Sequence, residues 1–416
     1  MPMVSRVALE TLGCKLNQAE AESLGRELEA SGLCIVDPDG PCDAYILIAC
    51  TVTAMADAKA RHLLRLAYRR NPQAVLAVTG CYGTSVASLV ESLPNARVLL
   101  CRDKTELVTQ LRELSVGGDA RDHTGRRARA FVKAQEGCSN FCTYCIVPFV
   151  RGGEKSLPPD AVISEISARV KEGHREVVLT GTEIGAYRYC GLGLAGLLRR
   201  ILNETTVDRV RLSSLQPTEV TADLLDLWSN PRMCSHFHLS LQSGNDGVLQ
   251  RMGRRYNIAE YRDAVVSLLA LRPDIAVTTD IIVGFPGETE EEFEESFAFC
   301  ASLGFARIHV FVFSPRFGTA AASMPDQVPV AVKKERGQRM RQLADESALA
   351  FRSRFLNQKL EALWETENRG VVVGYTGNYM RVYAKSNDEL INKIMAPKLL
   401  KLHKDGVWGE IEKELT

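Results

Sequence analysis

The 416-residue sequence predicts an α/β protein in three parts. These are an N-terminal parallel-sheet α/β unit, a partial (β/α)6 barrel and a small C-terminal β-barrel. Three observations predict it. Strand-like apolar runs alternate with amphipathic helical stretches over 4–115 and again from Ala130, and such alternation builds parallel sheets through right-handed crossovers. A Gly- and charge-rich stretch with no apolar face, 116–129, separates the two series. After a long helical stretch at 331–356, short β-like runs with Gly-bearing turns take over. Domains are therefore expected at 1–117, 130–350 and 352–416, and a length-based prior of ~100–200 residues per domain allows two to four.

In the first unit, Val7-Ala-Leu-Glu-Thr-Leu, Ala44-Tyr-Ile-Leu-Ile-Ala and Ala74-Val-Leu-Ala-Val-Thr are short buried-strand signals, with a weaker one at 96–100. Helical spacing fills 17–31 and 57–70. In the second unit the strand candidates are 130–135, 176–180, 207–213, 236–241, 275–282 and 307–313, with helices following most of them, as at 160–172 and 259–271. Six βα units fit an open barrel, whose chemistry sits at the C-terminal strand ends. The tail offers β-like runs at 360–365, 370–373, 379–384 and 394–401, the pattern of a small β-barrel.

Composition excludes several function classes. Apolar residues at 45% and charged residues at 25% are those of a globular chain, not a disordered one. Fifty-one Lys plus Arg balance 51 Asp plus Glu, which excludes a uniformly basic nucleic-acid coat but not a local patch. No apolar run approaches the ~18–20 residues of a membrane span, and the first twelve residues hold no apolar signal core. A cytoplasmic location without a membrane partner is expected, so the twelve cysteines are expected to be free or metal-bound, not disulfide-bonded.

Gly137-Cys-Ser-Asn-Phe-Cys-Thr-Tyr-Cys145 places three thiols, Cys138, Cys142 and Cys145, in a loop after the first barrel strand. A structural zinc site takes four ligands, and no fourth Cys or His lies nearby. Three thiolates on a [4Fe–4S] cluster leave one iron open to a small molecule. A zinc knuckle and chance clustering are the competing readings. Cys14, Cys50 and Cys81 each end one of the first three strands, beside Gly13, Ala49 and Gly80. Strand ends of a parallel sheet lie along one ligand-binding edge, so these three also converge. Buried free cysteines are the plain alternative, and Cys101, after the fourth run, is a rival ligand.

The Cys-x3-Cys-x2-Cys spacing, with Tyr144 before its last cysteine, resembles the signature of the radical S-adenosylmethionine (SAM) superfamily. The three-cysteine N-terminal unit, the barrel and the β tail together resemble the methylthiotransferases over essentially all 416 residues. Supporting motifs are Ser240-Leu-Gln-Ser-Gly-Asn245, Arg251-Met-Gly-Arg-Arg-Tyr256, Thr279-Asp-Ile-Ile-Val-Gly-Phe-Pro-Gly-Glu288 and His309-Val-Phe-Val-Phe-Ser-Pro315. The resemblance implies two [4Fe–4S] clusters, on Cys138/Cys142/Cys145 and on Cys14/Cys50/Cys81, with SAM on the first. It also implies an external electron donor and a sulfur source. Cys34, Cys42, Cys101, Cys190, Cys234 and Cys300 match none of the family's ligand positions. Tyr144, Gly181, Thr182, Glu183, Gln242 and Asp280 are expected SAM contacts, the last two toward ribose hydroxyls; plain loop caps at strand ends are the alternative. No further catalytic side chain is expected, and the oligomeric state is open.

Thr11-Leu-Gly-Cys-Lys-Leu-Asn-Gln-Ala-Glu20 is similar to the branch acting on threonylcarbamoyladenosine in tRNA. Branches acting on isopentenyladenosine or on a ribosomal-protein aspartate are the alternatives, and an iron–sulfur RNA-binding or sensor protein is the non-enzyme one. Thr180-Gly-Thr-Glu-Ile-Gly185 departs from the branch pattern at Thr182-Glu183. The tail resembles a TRAM module. Arg381–Lys404 carries six basic residues against two acidic, and 331–356 seven against three; such patches suit phosphates, here those of a tRNA anticodon stem-loop. Arg151 is expected to meet a cluster or substrate charge. His236 and His238 are expected to face the barrel interior as packed residues, and the six glutamates of 288–295 to open a helix.

Overall fold

The computed structural model describes residues 4–82, 84–91, 93–94, 96–101, 103–114, 128–386 and 388–411. The linker expected at 116–129 lies outside them, except for its last two positions. Each expected strand of the first two units is present, within two residues of where the hydrophobic pattern puts it.

Five parallel strands open the chain: β1 (Arg6–Thr11), β2 (Cys34–Val36), β3 (Ala44–Ala49), β4 (Val75–Gly80) and β5 (Arg97–Leu100), ordered β2-β1-β3-β4-β5. Every residue of β3 is buried, because helices cover both faces of the sheet. α1 (Lys15–Ala30) and α4 (Lys104–Glu113) pack Leu24, Leu28, Leu107 and Leu111 on one side. α2 (Ala54–Arg70) and α3 (Thr84–Glu91) pack Ala60, Leu64 and Val86 on the other. Strand order reverses between β1 and β3, so their C-terminal ends frame the crevice where doubly wound sheets take ligands. Cys14 and Cys50 follow these two strands, and Cys81 follows β4.

Six parallel strands form the second unit in chain order: Arg129–Lys133, Glu176–Thr180, Arg209–Leu212, His236–Leu239, Ala276–Val283 and Arg307–Val312. The third strand breaks at Ser213, and its continuation Ser214–Leu215 pairs with the fourth. Among the described residues the first and sixth strands do not pair, so the barrel is open. Ala130, Val132, Val177, Leu179, Phe237 and Ile281 face the surrounding helices in one core. The alternate positions turn inward, and these are mostly polar: Arg211, His236, His238, Thr278 and Asp280. The βα rule fails after the third strand, where only Ala222–Leu225 and two 3-10 turns stand in place of a helix.

The open side is partly filled by α1. Its Ala19 packs with Phe131 and Val178, and Glu22 accepts the edge-strand N–H of Phe131 at 3.2 Å. That contact satisfies a backbone donor with no neighbouring strand. The long helix Val330–Ser353 lies along the sixth strand. A six-stranded tail sheet follows: Ala362–Asn368, Val371–Thr376, Arg381–Lys385, Ile394–Met395, Lys398–His403 and Gly406–Glu410. The run expected at 394–401 is two strands divided at Ala396-Pro397, and the last strand has no counterpart among the expected runs.

The turn after Val371–Thr376 seats Tyr379 under the barrel. The Arg211 guanidinium, fully buried, lies 4.3 Å from the Tyr379 ring centroid. It donates to Glu176 Oε1 (2.7 Å) and to the carbonyls of Gly377 (2.9 Å) and Thr376 (3.2 Å). Removing one partner of a buried ion pair leaves an uncompensated charge and costs about 3–5 kcal/mol. Glu176→Ala is accordingly expected to destabilise the chain by about 3–5 kcal/mol, read as a lowered midpoint of thermal unfolding, while an exposed acid such as Glu361→Ala shifts it little.

Candidate active site between two cysteine triads

Cys14 is the N-cap of α1, Cys50 is buried after β3, and Cys81 is buried after β4. The backbone makes this convergence possible at Gly13. Its φ is +107°, and a Cβ there would stand 2.8 Å from Cys50 Cβ. Asn17 braces the loop, donating from Nδ2 to the carbonyls of Leu12 (2.6 Å) and Ala49 (3.0 Å). Cys101 does not join them. It packs with Leu107 and Leu111 on the other face of the sheet and contacts Gln110 at 3.5 Å.

Arg151 ends α5 (Val147–Arg151), six residues beyond Cys145. It reaches into the first triad, with Nε donating to Cys81 Sγ at 2.8 Å and Nη2 to Asn17 Oδ1 at 2.5 Å. Both Nη atoms bond the Glu20 carboxylate, at 3.0 and 3.1 Å. Burial alone would raise Glu20; Arg151, with Lys104 and Lys133, overrides it and takes the group down to about 2. From the opposite rim, Arg316 Nη2 donates to Thr51 Oγ1 at 2.6 Å, beside Cys50. The cysteine edge of the sheet therefore faces the C-terminal mouth of the barrel.

The second triad follows the first barrel strand. Gly137 opens it with φ +74°, where a Cβ would overlap the Gly153 carbonyl. The Cys138 thiol donates to Glu183 Oε2 at 2.9 Å, and burial together with this bond pushes Cys138 up to about 12. Burial likewise pushes Cys145 and Cys81 to about 11. Asn140 Nδ2 donates to both Glu183 oxygens, at 2.7 and 2.6 Å, and Gln216 Nε2 donates to Oε1. Arg254 donates to Cys142 Sγ (3.2 Å) and to Gln216 Oε1 (3.2 Å). Thr182 Oγ1 accepts from the Gly137 N–H at 3.1 Å, and a Cβ on Gly181 would stand 2.7 Å from Gln135 Oε1. Tyr144 packs as an apolar wedge against Val248, Met252, Phe285 and Phe313.

The other two expected contacts stand deeper. Gln242, at φ +70°, donates its N–H to the Asp280 carbonyl at 2.8 Å. Asp280 does not end the fifth strand as expected; it lies mid-strand and faces the lumen, 3.2 Å from His238 Nε2. His236 and His238 both face inward, each bonding Thr278 Oγ1 at 3.2 and 3.0 Å.

Several site residues were not singled out in the sequence. Glu219 lies against Glu183, and Lys15 and Glu20 line α1. Arg254 falls inside the 251–256 motif, which was the available signal. Apolar side chains ring the mouth: Val52, Met55, Phe141, Phe149 and Phe317 are exposed, Phe317 at 94%. The basic stretch at 331–356 is weaker than its count. Arg336 pairs with Glu288 (3.1 Å) and Glu290 (2.8 Å), Arg339 pairs with Glu290 (3.2 Å) and Glu294 (2.5 Å), and Lys333 is buried. The glutamates of 288–295 thus serve the helix Glu290–Leu303 and its capping box, as expected. In the tail, Lys385, Lys393, Lys398, Lys401 and Lys404 are all exposed.

Both triads fit a cluster better than a single ion. Among the described residues, the one trio of ligand atoms within 4.8 Å of one another is His238, Asp280 and His309. Four thiolates around zinc stand about 3.8 Å apart, and neither triad closes to that scale. An iron–sulfur cube spreads its thiolates over different irons. Ligation deprotonates the thiol, so at Cys138 it would release Glu183 for a cationic ligand group.

Comparison with known proteins agrees with this geometry. The profile of the Radical SAM superfamily matches residues 132–300, and that of "Uncharacterized protein family UPF0004" matches 6–100. The threonylcarbamoyladenosine tRNA methylthiotransferase MtaB of Bacillus subtilis (strain 168) is 36% identical over 96% of this chain and 94% of its own length. The chain belongs to the radical SAM methylthiotransferase family. Membership makes it an enzyme and brings SAM and a [4Fe–4S] cluster. The Thermotoga maritima protein of the same name is 35% identical over 90% of each chain. A tRNA-2-methylthio-N(6)-dimethylallyladenosine synthase of Endomicrobium trichonymphae is 29% identical over 97% of this chain and 99% of its own. Among solved structures, the radical SAM methyltransferase TsrM of Kitasatospora setae superposes with a TM-score of 0.59 at 16% identity, covering 77% of each chain. That likeness shows the fold. Among the described residues no helix is long and apolar enough to cross a membrane.

Burial, reinforced by the Glu183 carboxylate, pushes Glu219 from near 4.5 up to about 8. The folded protein therefore holds a proton that the unfolded chain releases in between. The resulting stabilisation is full below about pH 4 and is lost as pH rises through about 8. Glu219→Gln, which keeps an acceptor for the Gln216 N–H (2.8 Å), should flatten this slope. Thermal midpoints of the variant are expected to match the parent near pH 4, to exceed it already at pH 6 and to exceed it further at pH 9.

Proposed function

We propose that this enzyme methylthiolates carbon 2 of N6-threonylcarbamoyladenosine at position 37 of tRNA, replacing C2–H by C2–SCH3. The observation that carries the substrate is the relatives' naming: those at 36% and 35% identity carry the threonylcarbamoyladenosine name, while dimethylallyladenosine synthases stand at 29% and 30%. The Gly13-Cys-Lys-Leu-Asn-Gln18 segment supports the same branch. The units 1–117, 130–350 and 352–416 serve as sulfur-donor, SAM and RNA-binding domains.

Cys138, Cys142 and Cys145 would hold the cluster that chelates SAM, and Cys14, Cys50 and Cys81 a second cluster. Together these groups supply hydrogen abstraction from an unactivated carbon and the incoming methylthio group. The chain's own residues bind and orient. Glu183, held by Asn140 and Gln216, meets the amino group of SAM, with Gly181 and Thr182 keeping the backbone close and Tyr144 walling the pocket. Gln242 and Asp280 accept from ribose hydroxyls. Arg151 and Arg316 fix the cysteine edge over the barrel mouth, so the target base is held between the triads. Phe317, Phe141 and Phe149 offer faces for unpaired anticodon-loop bases, since single-stranded RNA is read by stacking on aromatics. The tail lysines meet phosphates. Electron donor and sulfur source are external.

Mass spectrometry of tRNA nucleosides from a deletion strain tests the reading. Loss of the 2-methylthio form of threonylcarbamoyladenosine is expected; loss of the 2-methylthio isopentenyl nucleoside instead would overturn it. In reconstituted enzyme, Cys142→Ala is expected to abolish SAM cleavage, while Cys50→Ala keeps uncoupled 5′-deoxyadenosine formation and makes no methylthio product. Full product from the Cys50 variant would return the first triad to ordinary packing. Lys398→Glu with Lys401→Glu should weaken tRNA binding and flatten the logarithmic salt dependence by about two charges' worth, measured by filter binding from low to moderate salt.

A further inference from the structure

The barrel lumen contains more charge than SAM binding uses, and nearly all of it is paired. Arg211 is neutralised by Glu176 at 2.7 Å, Arg129 by Glu365 at 3.0 Å, and Asp280 stands 3.2 Å from His238. Lys15 is the exception. It follows Cys14 directly, at the first position of α1, and its Nζ enters the lumen 5.3 Å from the Tyr379 ring centroid. That ring is itself flanked by the guanidinium groups of Arg129 and Arg211, at 5.2 and 4.3 Å. Among the described residues no carboxylate lies within ion-pair distance of Lys15 and no acceptor takes its protons. A half-buried ammonium beside two guanidinium groups, with only a ring face for company, is costly to keep. A binding site accepts that cost when the missing counter-charge arrives with the ligand.

We propose that Lys15 is the specificity residue of this enzyme, pairing with a carboxylate carried on the N6 substituent of the target adenine. The inference rests on the substrate reading above and deepens it. A base whose C2 faces the Cys14 triad has N6 on the far side of ring atom N1, so a substituent on N6 extends past the triad. The side chain next to Cys14 and turned into the lumen is the one it meets. A threonylcarbamoyl group brings a carboxylate there and completes an ion pair. A dimethylallyl group brings only methyls, covers the ammonium and leaves it unpaired, which sites that leave a covered polar group unsatisfied reject strongly. Lys15 touches no reacting atom in this scheme; it selects.

The test compares two synthetic anticodon stem-loops, one carrying N6-threonylcarbamoyladenosine as the free acid and one as its methyl ester. They are measured with the reconstituted full chain and, for binding alone, with the protein before reconstitution. The parent enzyme is expected to favour the acid by at least about tenfold in Kd and KM. Lys15→Met should treat acid and ester alike, with KM for the acid raised to the ester's value. Its kcat should stay within about threefold, with unchanged iron content and uncoupled SAM cleavage. Equal handling of acid and ester by the parent overturns the inference, as does full discrimination by Lys15→Met. If that variant loses iron, the parent's acid-to-ester ratio decides alone. Turnover of a dimethylallyl stem-loop with none of either threonylcarbamoyl RNA overturns the substrate reading itself, an outcome distinct from equal turnover of acid and ester.

Discussion

Arg151 is the contact on which the rest of the site depends. Its guanidinium comes from the loop-helix that follows the second triad, and it spends its donors on Cys81, Glu20 and Asn17 of the first unit. One side chain thus fixes the distance between two cysteine triads that lie on separate sheets. Its charge is matched by Glu20, which Lys104 and Lys133 also approach at 2.9 and 3.7 Å. Three cations thus share one buried carboxylate, with Glu136 offsetting Lys133 at 2.9 Å, so Arg151 is paired while the surroundings of Cys81 stay net positive. A fork of fixed donors does this work where a lysine's single ammonium could not bond all three partners in plane.

Around that clamp the molecule separates tasks by depth. The rim is apolar and exposed, suited to splayed bases. The throat holds the two triads with Glu183, Asn140 and Arg254 around the second. The lumen below is polar, and its floor is Tyr379 between Arg129 and Arg211. The tail sheet that carries exposed lysines at its surface therefore also supplies the base of the barrel through one turn. The exposed lysines and the floor of the site belong to the same small sheet.

Much of this is legible in the sequence, and for physical reasons. Parallel strands covered on both faces read as unbroken apolar runs, so β3 stands out, while the barrel strands show as shorter runs with apolar residues at the helix-facing positions. Three cysteines in eight residues form a local loop whatever the fold. The convergence of Cys14, Cys50 and Cys81 needs only the rule that parallel strand ends share an edge. Other features depend on contacts between residues far apart in sequence. Arg336 looks like one more phosphate-seeking charge until Glu288 and Glu290 are found beside it. Asp280 already lies inside the expected run 275–282, but only the fold shows that it faces the lumen beside His238 and does not cap the strand end. The Tyr379 floor and the Glu183–Glu219 pair have no local pattern, since each joins elements brought together only by tertiary packing.

The packing of α1 into the side of the barrel bears on how independent the units are. Phe131 and Val178 have Ala19 as their partner, the edge amide of Phe131 has Glu22, and Arg151 has Glu20. A barrel freed of its first hundred residues would open an apolar strip, an unpaired edge and an unbalanced guanidinium along one line. The N-terminal unit is thus less a neighbouring module than the missing stave of the barrel. Lineages that recombine radical SAM barrels with new partners would have to replace that stave, and not merely attach something at the end of the chain.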